Sequence, residues 1–236
     1  MADFLLVHGA GHGAWCWRDV IPELAALGHR ARAIDLPGHG EDNTPYQQVT
    51  LDLYADAIVA ALDRPMIVVG HSMGGYPITL AADRNPLNFL QLIYLCAYVP
   101  QPGLSLADMR KQAPSQPLLP AIRRTQDRQG WTVDPTRIRD LFYHDCPAET
   151  VGYAGSKLCI QATQPTSVSV ETGDNYANIP KHYIICTDDR TIPPEYQREM
   201  TRHWPRPDVS TLDSGHSPFF ADPAGLAKRL DQIAQG

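Results

Sequence analysis

The chain lacks the features that mark nucleic-acid-binding, membrane-spanning and disulfide-rich proteins. It has no basic excess, because 20 Lys and Arg residues face 26 Asp and Glu residues, for a net charge of −6. No apolar run reaches the ~20 residues that a membrane span needs. The five cysteines are widely scattered and form no CxxC pair. We therefore expect no nucleic-acid or membrane partner, and the unpaired thiols favour a reduced, cytoplasmic protein.

Short apolar runs alternate with amphipathic stretches through most of the 236 residues. This alternation predicts one α/β domain over residues 1–236, with a parallel sheet flanked by helices. The length fits one such domain better than two. Strands are expected at 4–7, 31–34, 66–69, 91–96, 182–186 and 208–212. Helices are expected at 18–27, 51–63 (with Thr50 as its cap), 73–84, 194–203 and 224–235.

The regular alternation stops at about residues 100–180, where the chain is rich in proline and glutamine. A segment this long is not expected to be a structureless loop within a compact domain. We therefore predict a cap insertion of short helices over this range, above the sheet. Its large apolar side chains are candidates for the lining of a pocket: Leu118, Leu119, Trp131, Phe142 and Tyr143.

One glycine motif follows the first predicted strand. Residues 9–14 fit the G-x-G-x-x-G/A pattern, and Asp35 ends the second strand where a ribose-binding acid would stand. Trp15 and Trp17 follow at once, however, where a dinucleotide-binding helix packs small residues. Residues 37–40 also place Asp35 beside a tight turn. A nicotinamide enzyme is therefore a minor alternative.

A second glycine motif, Gly70-His71-Ser72-Met73-Gly74, lies between a predicted strand and a predicted helix. G-x-S-x-G in that context is typical of a serine nucleophile on a sharp turn. The turn brings backbones close together, so small neighbours are needed. The start of the helix also presents free N–H groups to developing negative charge. We predict Ser72 as a nucleophile.

Partners for Ser72 occur in the chain order acid and then histidine, each after a later strand. Asp188 and Asp189 follow the strand that ends at 186, and His216 follows the strand at 208–212. The carboxyl ends of parallel strands meet at one edge of the sheet, so these side chains are expected to converge. Spacing alone does not separate Asp188 from Asp189.

The other histidines are predicted to play structural roles. Four of them lie in turns near the carboxyl edge of the sheet, where we expect bonds to the backbone: His8, His12, His39 and His71. No histidine pair has H-E-x-x-H spacing, and the one pair with H-x-x-x-H spacing, His8 and His12, lies in a turn, so no metal site is predicted.

These motifs resemble the plant methylesterase and hydroxynitrile lyase branch of the α/β-hydrolase family. The resemblance implies an α/β-hydrolase fold with an inserted helical cap, and it implies that Asp189, the second residue of the acidic pair, is the catalytic acid. It covers nearly the whole chain and is carried by residues 6–17, 35–40, 70–75, 142–147, 186–193 and 215–216.

Two departures from that branch bear on the reaction. The lyases carry a threonine where this chain has Gly9, and a lysine after the catalytic histidine, where this chain has Ser217. A lyase needs that cation to hold the departing cyanide, so ester hydrolysis is the better prediction.

The expected mechanism is that of a serine esterase acting on a small carboxylic ester, without a cofactor. Ser72 attacks the ester, His216 acts as base, Asp189 orients the imidazole, and the N–H groups of Ala10 and Met73 form the oxyanion hole. The same triad serves C–C hydrolases, thioesterases and acyltransferases, which stay as alternatives. A hydroxynitrile lyase and a non-catalytic small-molecule binding protein are weaker ones. A homodimer is the commonest closed assembly for such a chain.

Overall fold

A computed structural model describes residues 1–236 and contains two sheets. Strands of the central sheet are separated along the chain by three strands of a smaller one. The strands are β1 (Asp3–Val7), β2 (Arg30–Ile34), β3 (Met66–His71), β4 (Phe89–Leu95), β5 (Ile122–Arg124), β6 (Gly130–Val133), β7 (Gln161–Ala162), β8 (Lys181–Cys186) and β9 (Val209–Leu212).

Ten α-helices accompany the strands, and short 3-10 turns occur between them. The helices are α1 (Val20–Ala26), α2 (Leu51–Ala61), α3 (Gly75–Arg84), α4 (Leu106–Gln112), α5 (Ile138–Phe142), α6 (Ala148–Lys157), α7 (Asp174–Asn178), α8 (Pro194–Met200), α9 (Pro218–Ala221) and α10 (Pro223–Gln235). None of them is long and apolar enough to cross a membrane.

The central sheet has the strand order β2-β1-β3-β4-β8-β9, and every neighbouring pair is parallel. All six residues of β3 are buried, as expected of a strand that helices cover on both faces. Two apolar cores lie on the two sides of the sheet. The predicted doubly covered parallel sheet is therefore confirmed.

Local signals in the sequence explain several element boundaries. The side chain of Thr50 accepts a hydrogen bond from the N–H of Leu53, which fixes the start of α2 as predicted. The helix predicted over 73–84 begins instead with a 3-10 turn at Ser72–Gly74 and continues as α3. That tight first turn follows from the sharp change of direction at the end of β3.

The segment between β4 and β8 contains helices and a small antiparallel sheet of β5, β6 and β7. The sequence predicted short helices here, and the small sheet is an addition to that prediction. Its strands are two to four residues long. Runs this short carry no detectable alternation of apolar and polar residues, so periodicity could not reveal them.

Candidate active site

Ser72 lies on a strained turn directly after β3. Its φ angle is +54°, in the left-handed region that non-glycine residues rarely adopt. Glycines on both sides make the turn possible. A Cβ on Gly74 would lie 2.8 Å from the carbonyl oxygen of His8, and one on Gly70 would lie 2.8 Å from that of Gly74. The strained turn projects the Ser72 side chain beyond the end of the sheet.

The structure brings Ser72, His216 and Asp189 together. The Nε2 atom of His216 lies 3.1 Å from the hydroxyl oxygen of Ser72, and its Nδ1 atom lies 2.8 Å from Oδ2 of Asp189. His216 follows β9 and Asp189 follows β8, so two neighbouring strands deliver the two groups to the carboxyl edge. All three residues are buried, with Ser72 the most exposed at 8%.

The two candidate acids are separated by their surroundings. Asp189 is 4% exposed, and its Oδ1 atom accepts the N–H groups of Thr191 and Ile192 at 2.7 and 2.9 Å. Its Oδ2 atom accepts from the side chain of Gln197 as well as from His216. Asp188 is exposed and contacts the His144 ring instead. Only Asp189 can orient His216.

The backbone and ring of His216 are both held in place. Its carbonyl oxygen accepts the Nε2–H of His71 at 2.8 Å and contacts the thiol of Cys96. The ring of Phe142, from the cap, stacks on its imidazole with centroids 5.7 Å apart. The segment between β4 and β8, which was predicted as a cap, therefore contributes a side chain to the site.

The Gly9–Ala10 peptide lies beside Ser72 and is fixed by a histidine. Nδ1 of His8 donates to the carbonyl oxygen of Gly9 at 2.8 Å, while its Nε2 accepts the N–H of Leu36. In a trans peptide the N–H of Ala10 points opposite to that carbonyl. It donates to no protein group, and Ala10 lines the same cavity as Ser72 and Met73.

The histidines of the turns bond to the backbone, which confirms that prediction. Nδ1 of His12 donates to the carbonyl oxygen of Ala10 at 2.9 Å, and its Nε2 accepts the hydroxyl of Tyr143 at 2.7 Å. His39 and His71 contact the carbonyl oxygens of Pro37 and His216. Sequence reasoning missed that His8 and His12 orient the backbone of the Gly9–Ala10 loop, because residue type alone does not reveal it.

These buried histidines make stability depend on pH. Burial lowers the pKa of His12 to about 4 and holds the pKa values of His8 and His71 well below their usual range. The unfolded chain therefore binds more protons below about pH 6.5, and stability is lost as the pH falls from there. Each of the three should cost ~1.4 kcal/mol between about pH 7.5 and about pH 5.5, or ~4 kcal/mol in all.

Urea denaturation at these two pH values measures that loss in the free energy of unfolding. An unfolding free energy that is equal at both pH values would contradict the prediction.

The contacts of Asp35 and of the glycine loop argue against a dinucleotide-binding site. The Asp35 carboxylate accepts the N–H groups of Ala14 and Glu41 at 2.6 and 3.0 Å, so it ties two loops together. A Cβ on Gly9 would lie 2.9 Å from the Cβ of Ser72. The glycine is therefore explained by its closeness to Ser72, and the threonine of the lyases would not fit here without rearrangement.

One group of side chains has the composition of a metal site. Ligand atoms of His71, Cys96 and His216 lie within 4.8 Å of one another. Both ring nitrogens of His216 already contact Ser72 and Asp189, and Nε2 of His71 contacts the carbonyl oxygen of His216. These contacts match a hydrogen-bonded support of the His216 loop better than a set of metal ligands.

Two cavities share Ala10 and Trp131 in their linings. The first, which we call the Ser72 cavity, spans about 680 Å³, including space open to solvent, and is also lined by Ser72, Met73 and Leu118. The second spans about 620 Å³, again including space open to solvent, and is also lined by Phe142. Of the other side chains proposed for the lining, Leu119 is 46% exposed and Tyr143 is fully buried against His12.

Asp145, in the cap, binds the loop that carries His216. Its Oδ2 atom accepts the N–H of Gly215 at 2.6 Å and the hydroxyl of Ser214 at 3.0 Å. Hydrogen bonds to a charged acceptor are each worth about 1.5–3 kcal/mol. We therefore expect Asp145→Ala to lower kcat for ester hydrolysis about tenfold, with a small change in KM, because the loop would lose its anchor.

Steady-state kinetics would show this effect as a fall in kcat with KM retained. Asp140→Ala is the control, since Asp140 is exposed and makes no ion pair. Equal kinetics for the Asp145 variant and the wild type would refute the positioning role.

Comparisons with known proteins place the chain in a family. A model of the alpha/beta hydrolase family matches residues 4–229. Methylesterase 3 of Arabidopsis thaliana is 28% identical, and the match covers 98% of this chain and 95% of that protein. A pyrethroid hydrolase of Sphingobium wenxiniae is 30% identical, with 99% of this chain and 88% of that protein covered.

Solved structures agree with the sequence relatives. The crystal structure of a pyrethroid hydrolase from Sphingobium faniae JZ-2 matches with a TM-score of 0.88 and 29% identity, over 100% of this chain and 98% of that chain. The predicted resemblance to the methylesterase-like branch is thereby confirmed. The chain belongs to the alpha/beta hydrolase family.

Proposed function

We propose that Ser72, His216 and Asp189 are the catalytic residues with which this ester hydrolase cleaves a small carboxylic ester through an acyl-enzyme. The observation that carries the proposal is the continuous chain of contacts from the Ser72 hydroxyl through both nitrogens of His216 to Asp189, at 3.1 and 2.8 Å. The sequence relatives, a methylesterase and a pyrethroid hydrolase, support the ester as the substrate class.

In the acylation step, Ser72 Oγ attacks the ester carbonyl while Nε2 of His216 takes its proton. His216 then returns that proton to the leaving alcohol. Asp189 holds the Nδ1–H tautomer and stabilises the imidazolium. Water, activated in the same way by His216, attacks the acyl-enzyme and releases the acid. Beyond the ester and water, each step uses only groups of the chain itself.

The oxyanion of the tetrahedral intermediate would be stabilised by the backbone N–H groups of Ala10 and Met73. The first N–H is free and oriented by His8, and the second lies in the first turn after β3. Donors of this kind contribute ~3–4 kcal/mol each to the transition state.

The experiment that tests the proposal is turnover of 4-nitrophenyl acetate and butyrate, combined with labelling by a fluorophosphonate probe. We expect steady release of nitrophenolate and a covalent adduct on the peptide that contains Ser72. Absence of both turnover and labelling would sink the proposal and favour the binding-protein alternative. Cleavage of thioesters or β-diketones in preference to esters would favour the alternatives that share the triad.

We also propose a cytoplasmic location and a homodimer as part of this function. All five cysteines are free, and four of them are buried, as expected in a reducing compartment. The homodimer follows only from its frequency among closed assemblies. Light scattering of the purified protein would test it.

A further inference from the structure

The Ser72 cavity carries positive charge without any acid to balance it. Its lining includes the side chains of Arg110 and Arg124, and it includes no aspartate or glutamate. The remaining wall is largely apolar and contains Leu106, Ile122 and Trp131.

Arg110, on α4, is the more enclosed of the two arginines. Its Nε atom is buried and has no hydrogen-bond partner, and its guanidinium forms no ion pair. The nearest acid along its helix, Asp108, is bound by Ser105 and Lys111 instead. A partly buried cation without a partner is costly, so folding alone does not explain this arrangement.

Arg124 adds a second charge at the same cavity. It lies at the end of β5, is exposed, and also forms no ion pair, whereas the adjacent Arg123 binds Asp134. Other exposed arginines, such as Arg206, also lack an ion pair, so what distinguishes Arg124 is its place in the lining of the Ser72 cavity. Two arginines without an ion pair therefore line the cavity that contains Ser72.

We propose that the ester substrate carries a carboxylate on an apolar body, and that Arg110, assisted by Arg124, binds this carboxylate in the Ser72 cavity. The proposal rests on the proposed function and narrows its substrate class. A guanidinium offers a planar set of donors that matches a carboxylate, and hydrogen bonds between two such charged groups are stronger than neutral ones. The apolar wall would hold the chain between the carboxylate and the ester.

Two matched pairs of esters test the preference. The first pair places the charge on the acyl side: 4-nitrophenyl hydrogen adipate and its neutral mate, 4-nitrophenyl methyl adipate. The second places it on the alcohol side: 4-acetoxyphenylacetate and 4-acetoxyphenylacetamide. We expect the wild type to favour the charged member of at least one pair in kcat/KM by about 10- to 100-fold, the factor that a charged hydrogen bond supplies.

Arg110→Met keeps the apolar stem and removes the charge. It should lower kcat/KM for the favoured charged ester about 10- to 100-fold and leave the neutral ester within about threefold. Arg206→Met is the matched control, because Arg206 is exposed, forms no ion pair and lies outside the cavity. A preference for the neutral ester in both pairs would overturn the proposal, as would a preference that survives Arg110→Met combined with Arg124→Met.

A binding measurement separates this proposal from the proposed function. Calorimetry with monomethyl adipate and Ser72→Ala measures recognition of the carboxylate without turnover. We expect binding that weakens about 10- to 100-fold when Arg110→Met is added, whether or not the wild type hydrolyses esters. Binding that is equal in the presence and absence of Arg110 would refute the carboxylate site, even if Ser72 proves to be the nucleophile.

Discussion

Ser72→Ala should reduce kcat for 4-nitrophenyl acetate by about a million-fold, the loss seen when the nucleophile of such a triad is removed. The change deletes only Oγ, so no other atom can form the acyl-enzyme from this position. The oxyanion donors of Ala10 and Met73 would remain and could still hold a substrate carbonyl. A small residual rate above that of free solution is therefore expected.

Ser167→Ala is the control for this substitution, because Ser167 lines the same cavity and its hydroxyl contacts only the carbonyl oxygen of Thr163. We expect its kcat to stay within about threefold of wild type, as for a surface-like change. Stopped-flow kinetics with a circular-dichroism check of folding would compare both variants. Retention of even one-hundredth of the wild-type rate by folded Ser72→Ala would identify a different nucleophile.

Two members of the proposed triad could be predicted from the sequence because their signals are local. Ser72 lies in a five-residue pattern between a strand and a helix, and His216 follows the last predicted strand. Parallel strands then deliver both to one edge of the sheet, which needs no knowledge of side-chain packing. Ester hydrolysis, inferred from these residues and the family resemblance, agrees with the relatives found.

The spacing of residues in the sequence was not sufficient to choose the proposed catalytic acid. Asp188 and Asp189 are adjacent, and in an extended or turning backbone neighbouring side chains point in different directions. The deciding contacts come from Gln197, on α8, and from the turn at Thr191. Both are tertiary features, and at the level of the sequence only the family resemblance favoured Asp189.

The cap was the least predictable part of the chain, for a physical reason. Its helices and strands are short, so their faces leave little periodicity in the sequence. Arg110 lies on a seven-residue helix, and nothing in its neighbourhood along the chain indicates that it lines the same cavity as Ser72. Only the folded structure shows that Arg110 has no partner. The same is true of the binding of Asp145 to the His216 loop.

Asp189→Asn should lower kcat by about 10⁴-fold, the effect known for the corresponding change in a serine triad. The reason lies in the hydrogen bonds of the carboxylate. Two backbone N–H groups, from Thr191 and Ile192, bind Oδ1 and would keep the amide oxygen of an asparagine at that position. The amide NH₂ would then replace Oδ2 and face two donors, the side chain of Gln197 and the Nδ1–H of His216.

His216 would escape this conflict by moving its proton from Nδ1 to Nε2. Its Nε2 atom, 3.1 Å from the Ser72 hydroxyl, would then be a donor and could no longer accept the proton of the nucleophile. Asp188→Asn removes the neighbouring charge but leaves this geometry intact, because Asp188 contacts His144 at the surface. We expect its kcat to stay within about threefold of wild type. If Asp188→Asn were the more damaging of the two, the assignment of the acid and the tautomer argument would both be wrong, since a triad built on Asp188 would leave the four hydrogen bonds of Asp189 without a catalytic role.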